Sequence, residues 1–185
     1  MAAILGVVVA GGVLLLGGRD LAATANGPPA FKGAFGSYEP AEDPAPAPDV
    51  AFLDANGDTI KLDALRGQIV LLNFWATWCA PCVKELPVLD RLQADLGSEE
   101  FRVLLVSVDR KGATVADPFL EDLKLGHLKT AIDSNSDLVR AFGAAGLPTT
   151  FLLDREGRVR GRLEGDADWE SDAAKDLIRH YLQEG

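Results

Sequence analysis

Cys79 and Cys82 are the only cysteines among the 185 residues, and the stretch Trp78-Cys79-Ala80-Pro81-Cys82 sets them three positions apart. An apolar run from Ile69 to Phe74 ends just before them and a helical pattern begins just after, so Cys79 falls at a helix N-terminus. Unpaired backbone N–H groups and the positive end of the helix dipole favour a thiolate there, and can take a cysteine pKa from ~8.5 down to ~3.5–7.5. Two thiols within one helical turn can then exchange with a disulfide. The competing readings are a buried structural bridge or half of a metal site. Zinc takes about four ligands, and the only histidines, His127 and His180, are remote in sequence. Neither falls in a recognised ligand spacing, and no metal is expected.

The elements that must position this pair alternate between strands and helices from Asp49 onward, the pattern of an α/β domain with helices on the faces of one sheet. A short apolar piece at Ala51 to Leu53 and the turn Asn56-Gly57-Asp58 predict an N-terminal hairpin ending near Leu62. Ile69-Val70-Leu71-Leu72-Asn73-Phe74 reads as a strand buried on both faces. A helix follows from about Ala80 to Leu96, with Leu86, Leu89, Leu92 and Leu96 on the core side and a kink expected at Pro87. Val103 to Val108 reads as a second central strand. Helices at about Val115 to Leu123 and Ser136 to Phe142 flank a short strand at Thr130 to Ile132, with Ser134 or Asn135 able to cap the second. Thr149 to Leu153 and Val159 to Leu163 enclose the turn Asp154-Arg155-Glu156-Gly157 and make an antiparallel hairpin. A helix from about Ser171 to Leu182 closes the chain.

Three regions are expected: 1–25 as a membrane anchor or signal segment, 26–48 as a Pro-rich linker, and 49–185 as the folded domain. Ala2 to Gly18 is apolar and uncharged. At ~1.5 Å per residue it reaches about 25 Å, the lower end of what a bilayer span needs. Ala23-Thr24-Ala25 has the small-residue form of a signal cleavage site, so a cleaved signal remains the alternative. Arg19 follows the apolar run and no basic residue precedes it, which does not favour a cytoplasmic N-terminus. Pro28-Pro29, Pro40 and Pro44-Ala45-Pro46-Ala47-Pro48, with Glu39, Glu42 and Asp43 among them, predict an extended tether. Whether Phe31, Phe35 and Tyr38 pack on the domain or face solvent is left open by the sequence. A formal net charge of -10 argues against nucleic acid, since there is no basic patch to displace phosphate counterions. A monomer is expected.

Asn73-Phe74-Trp75-Ala76-Thr77-Trp78-Cys79-Ala80-Pro81-Cys82, then Lys84-Glu85-Leu86-Pro87, and later Gly146-Leu147-Pro148-Thr149-Thr150-Phe151-Leu152-Leu153-Asp154, resemble the TlpA-like and ResA-like thioredoxin-fold proteins. Gly165-Asp166-Ala167-Asp168-Trp169-Glu170 is similar to the TlpA branch in particular. The likeness runs from about Asp49 to the C-terminus. It implies a thioredoxin fold, a central mixed sheet flanked by helices, with a helix-strand insertion around Thr114 to Leu128. It also implies a membrane-anchored thiol:disulfide reductase outside the bacterial cytoplasm, in the inner membrane with its domain facing the periplasm, or soluble there after cleavage near Ala25.

In that reading Cys79 attacks a substrate disulfide and Cys82, one turn inward, resolves the mixed disulfide. Ala80 and Pro81 tune the pair, and no cofactor is needed beyond the Cys79–Cys82 disulfide. Pro148 is by resemblance a cis proline facing the cysteines, although a Pro before a strand can also be an ordinary trans edge residue. A cis bond there holds the Leu147 backbone, with Thr149 beside it, ready to pair with an extended substrate segment. Thioredoxins proper carry a buried Asp where this chain has Asn73, so Glu85 is the candidate acceptor of the Cys82 proton, the bland alternative being a solvated helix-surface carboxylate. Trp75 and Trp78 are expected to pack under and beside the site, with Trp78 shielding Cys79 and touching substrate, and Trp169 to pack near the last helix.

The expected partners are disulfide-containing proteins, apocytochromes or copper-site assembly proteins, with a DsbD- or CcdA-type membrane thiol transporter as electron donor. Two alternatives stand beside this. A thiol peroxidase on the same fold wants a Thr three residues before the reactive Cys, where this chain has Ala76. A copper metallochaperone wants a longer cysteine spacing with a nearby His.

Overall fold

The computed structural model describes residues 27–34 and 36–184. In chain order its elements are β1 (Glu39–Pro40), β2 (Phe52–Leu53), β3 (Thr59–Ile60), a 3-10 turn (Leu62–Leu65), β4 (Ile69–Trp75), α1 (Ala80–Leu96), β5 (Phe101–Ser107), α2 (Ala113–Asp122), β6 (Thr130–Ile132), α3 (Asp137–Ala141), β7 (Thr149–Leu153), β8 (Val159–Glu164) and α4 (Asp172–Gln183). The strands form one mixed sheet in the order β1-β8-β7-β4-β5-β6-β2-β3. This is the thioredoxin-type α/β architecture, with the hairpin β2–β3 at one edge. The membrane-anchor reading of residues 1–25 lies outside the described residues, among which no helix is long and apolar enough to cross a membrane.

β4 occupies the middle because its composition allows nowhere else: all seven residues are buried, and only Asn73 among them is polar. It runs parallel to β5 and antiparallel to β7. Both neighbours complete its ladder and leave its C-terminal end free to deliver the chain into α1. That helix begins with Pro81 in its first turn, where the ring's fixed φ suits entry and its missing N–H costs nothing. Leu86, Leu89 and Leu92 are fully buried beneath it, each stabilising by about 2 kcal/mol relative to exposure. Leu96, the last member of the expected stripe, is only partly buried, and Pro87 lies inside the helix.

Two expectations are corrected. Neither Ser134 nor Asn135 caps α3. Asp133 does so from the end of β6, its carboxylate accepting from the N–H groups of Asp137 and Val139, both at 2.9 Å. Ser136, which precedes the helix, has φ +58°, and that turn swings the first helical amides toward Asp133 and away from the residues between. Asp133→Ala is expected to cost about 1–2 kcal/mol, and Ser134→Ala less than about 0.5 kcal/mol. Urea unfolding midpoints with unchanged slope would show it, and equal losses at both positions would sink the assignment.

The second correction concerns the linker reading of 26–48. Its described part lies on the domain. Phe31 and Tyr38 are buried, Glu39 and Pro40 pair with Arg162 and Gly161 of β8, and Ala47 N–H donates to Gly157 O at 2.8 Å. Proline makes the chain extended, as expected, yet an extended chain is also what a sheet edge accepts. The donors come from residues between the prolines, among them Ala41 to Arg160 O at 2.8 Å. Burying an aromatic ring adds about 1.5–3 kcal/mol. The approach is close enough that a Cβ at Gly161 would collide with the Tyr38 ring and the Glu39 carbonyl.

Candidate active site

Beyond Trp75 the chain turns through Ala76 and Thr77 before α1 starts, and this turn is held from the neighbouring strand. Asp109, two residues past β5, accepts from Thr77 N–H and Thr77 Oγ1–H at 2.9 Å each and from Ser107 Oγ–H at 2.9 Å. Cys79 follows as the N-cap of α1, with Cys82 N–H donating to its Sγ at 3.3 Å. The two cysteines are joined in a disulfide, Cα atoms 5.3 Å apart. Cys79 is 6% exposed and Cys82 1%, so the outer sulfur is the one at the helix N-terminus. Trp78 stands 69% exposed beside it.

The Leu147–Pro148 peptide bond is cis. Thr149, immediately after it, starts β7 against Phe74, and its hydroxyl donates to Gly146 O at 2.8 Å. Among the described residues neither the N–H nor the C=O of Leu147 is bonded to the backbone. Leu147 and Trp78 both line a cavity of about 670 Å³, whose walls also include Thr77, Val139, Arg110 and Lys111.

Behind the cysteines sits Glu85, 2% exposed, which a helix-surface carboxylate would not be. Three donors reach it: Trp169 Nε1–H and Ala167 N–H meet Oε1, and Asn73 Nδ2–H meets Oε2 at 3.1 Å. Burial pushes its pKa up to about 7, against the lowering pull of those donors. Asn73 also donates to Thr150 Oγ1 at 2.9 Å, and among the described residues its Oδ1 has no partner.

The structure thus brings Trp78, Cys79, Ala80, Pro81 and Cys82 to the end of β4, with Leu147, Pro148 and Thr149 at the start of the adjacent β7 and Glu85 on the inward side of α1. Trp75 is buried, its indole donating to Thr130 Oγ1 at 3.0 Å. Trp169, buried in the chain just ahead of α4, meets Glu85 and Phe31. His127 is pinned by the Asp90 carboxylate at 3.0 Å, and His180 lies in the last turn of α4. Asp109 escaped the sequence reading. Its signal was the parallel β4–β5 register, which sets Trp75 opposite Ser107 and so brings the residues just beyond both strands together.

A redox-active Cys-X-X-Cys at the N-terminus of the helix after the central strand, on this sheet, defines a thioredoxin-fold thiol:disulfide oxidoreductase. The sequence profile of the AhpC/TSA family matches residues 44–162, and the chain belongs to that family. It is 35% identical over 137 residues to the thiol-disulfide oxidoreductase ResA of Geobacillus thermodenitrificans, spanning 74% of each chain. With ResA of Bacillus subtilis the figures are 31% over 129 residues, 70% of this chain and 71% of that one. Among solved structures it resembles a DsbE-type thiol:disulfide interchange protein from Chlorobium tepidum, with a TM-score of 0.67 at 32% identity, covering 76% of this chain and 98% of that one. StoA of Bacillus subtilis matches with a TM-score of 0.58 at 27% identity, covering 73% and 98%.

Proposed function

We propose that this oxidoreductase works in the reducing direction on disulfides of exported proteins, held at the outer face of the inner membrane by its N-terminal segment. The observation that carries the chemistry is the graded burial of the pair: Cys79, the N-cap, keeps 6% of its surface exposed and Cys82 only 1%, and the buried carboxylate of Glu85 lies one turn further along α1. In the reduced enzyme the Cys79 thiolate attacks a substrate sulfur, the substrate S–S bond breaks, and one substrate thiolate leaves. Cys82, as thiolate, then attacks Cys79 Sγ, the mixed disulfide breaks, and the Cys79–Cys82 bridge closes, two electrons and two protons having passed to substrate. Glu85 accepts the Cys82 proton in the second step. An extended substrate segment pairs with the free Leu147 backbone and lies under Trp78, in the manner of strand addition.

The ResA relatives and the DsbE-type neighbour support thiol:disulfide exchange; as its targets we propose cysteines that must afterwards bind haem or copper, in apocytochromes or respiratory copper-site proteins. Re-reduction then requires a membrane thiol donor of the DsbD or CcdA kind. With dithiothreitol as electron source the purified chain is expected to reduce insulin disulfides at least about tenfold faster than dithiothreitol alone. Peroxide consumption at a comparable rate would point to the peroxidase chemistry, and stoichiometric Cu(I) binding without disulfide reduction to the copper carrier. Either result would overturn the reductase reading.

A further inference from the structure

The chain segment ahead of the domain meets the loop that carries Trp169. Phe31 is 3% exposed, its ring centroid 4.9 Å from that of Trp169. Gly33 bridges to Ala167, and Ala34 N–H donates to Asp166 O at 2.7 Å. The strand-like contact is tight: a Cβ on Gly33 would meet Leu163 Cδ2 at 3.0 Å and the Asp166 carbonyl at 3.2 Å. Loop 166–169, so fastened, supplies two of the three donors that reach Glu85, both on Oε1. A cavity of about 410 Å³ lies between this segment and α1, walled by Lys32, Gly33, Lys84, Val88 and Asp166, with Glu85 in its lining. None of the residues around the Trp78–Leu147 groove contributes to it.

We propose that residues 31–34 are a positioning strap for the exchange reaction, clamping loop 166–169 so that Ala167 and Trp169 hold the Glu85 carboxylate and water reaches it only through the cavity beneath the strap. The inference rests on the reading of Glu85 as acceptor of the Cys82 proton. It makes the stretch that leads from the N-terminal segment into the domain part of the working site. It also gives the proton a way out that substrate docked across Trp78 and Leu147 leaves open. The titratable and charged groups around Glu85 are Cys82 on its own helix, the Lys84–Asp166 pair at 3.0 Å, and Lys32 and Asp168 in the cavity wall. On the sheet side Asn73 and Thr150 do not titrate.

Burial is the largest influence on Glu85 and raises its pKa, while the loop donors lower it. Loosening the strap admits water first, so the carboxyl midpoint falls. In the full chain, Phe31→Ala is expected to lower the Glu85 midpoint by about one unit, read from the 13C carboxyl signal as pH is varied, and Phe31→Leu to restore most of it. Gly33→Ala, which displaces the strap without removing buried surface, serves where Phe31→Ala does not fold, and is expected to shift the midpoint the same way. An unmoved carboxyl titration in a folded strap variant overturns the strap. A titration that moves while the pH profile of disulfide exchange stays put leaves the strap standing and removes the acid–base role of Glu85.

Discussion

Cys79→Ser is expected to lower turnover with any protein disulfide by at least about 10³-fold, equivalent to about 4 kcal/mol of transition-state stabilisation, whereas Cys82→Ser should stall the enzyme after its first step. The nucleophile is a thiolate, and a serine hydroxyl does not ionise at neutral pH even at a helix N-terminus. Cys82 cannot substitute as the attacking group: with 1% of its surface exposed it is closed to a sulfur carried by another protein. Removing it leaves Cys79 able to attack but unable to be resolved, so mixed disulfides accumulate on the full-length variant and can be isolated after alkylation. Serine fits the Cys82 position with little change in volume, which keeps the fold out of the comparison. Mass spectrometry of what is attached would name both substrate and electron donor. Trapped partners on Cys79→Ser instead of Cys82→Ser would reverse the order of attack. Equal residual rates in the two variants would deny that the pair divides the labour at all.

The cis reading of Pro148 came from the family resemblance, whereas the cysteine pair could be found because it sits in a short motif whose geometry is local: a strand end and a helix first turn. For the same reason β4 and α1 were readable. An apolar run broken only by Asn73 can be satisfied only at the centre of a sheet, and Leu86, Leu89 and Leu92 recur at helical spacing on one buried face. What escaped detection depends on distant segments meeting. The carboxylate at Glu85 is held from β4, from loop 166–169 and, through that loop, from Phe31, three places with no common pattern in the sequence. Composition between Gly27 and Pro48 gave the right backbone conformation and the wrong location, because proline content speaks to extension and is silent about whether an extended chain lies in water or along β8. Asp133 was passed over as a cap because capping is usually counted from the residue next to the helix, and the left-handed turn at Ser136 moves that count.

Glu85→Gln is the second large effect, and it bears on both stability and chemistry. With a folded-state pKa of about 7 against an unfolded value near 4.3–4.5, the native protein holds a proton that the unfolded chain releases between those two pH values. Stability contributed by this group is therefore full below about pH 4.5 and declines as pH rises through about 7, by up to roughly 3 kcal/mol. Glutamine removes the charge and can keep the contacts. Its Oε1 still accepts from Ala167 and Trp169, and its Nε2 finds an acceptor if the Asn73 amide turns over, bringing the now unpartnered Oδ1 into the shared position. The variant is thus expected to unfold at least as late as the parent at pH 8, with a flatter dependence of stability on pH between 4.5 and 8. Resolution of the mixed disulfide should slow by about 10²-fold near neutral pH, the usual contribution of a positioned base, and the limb of the rate profile near pH 7 should vanish. Attack by Cys79 on a small disulfide, which does not need the Cys82 proton to move, should change far less. A variant more stable at pH 8 but unaltered in resolution rate would leave Glu85 a buried cost to the fold with no part in moving the proton.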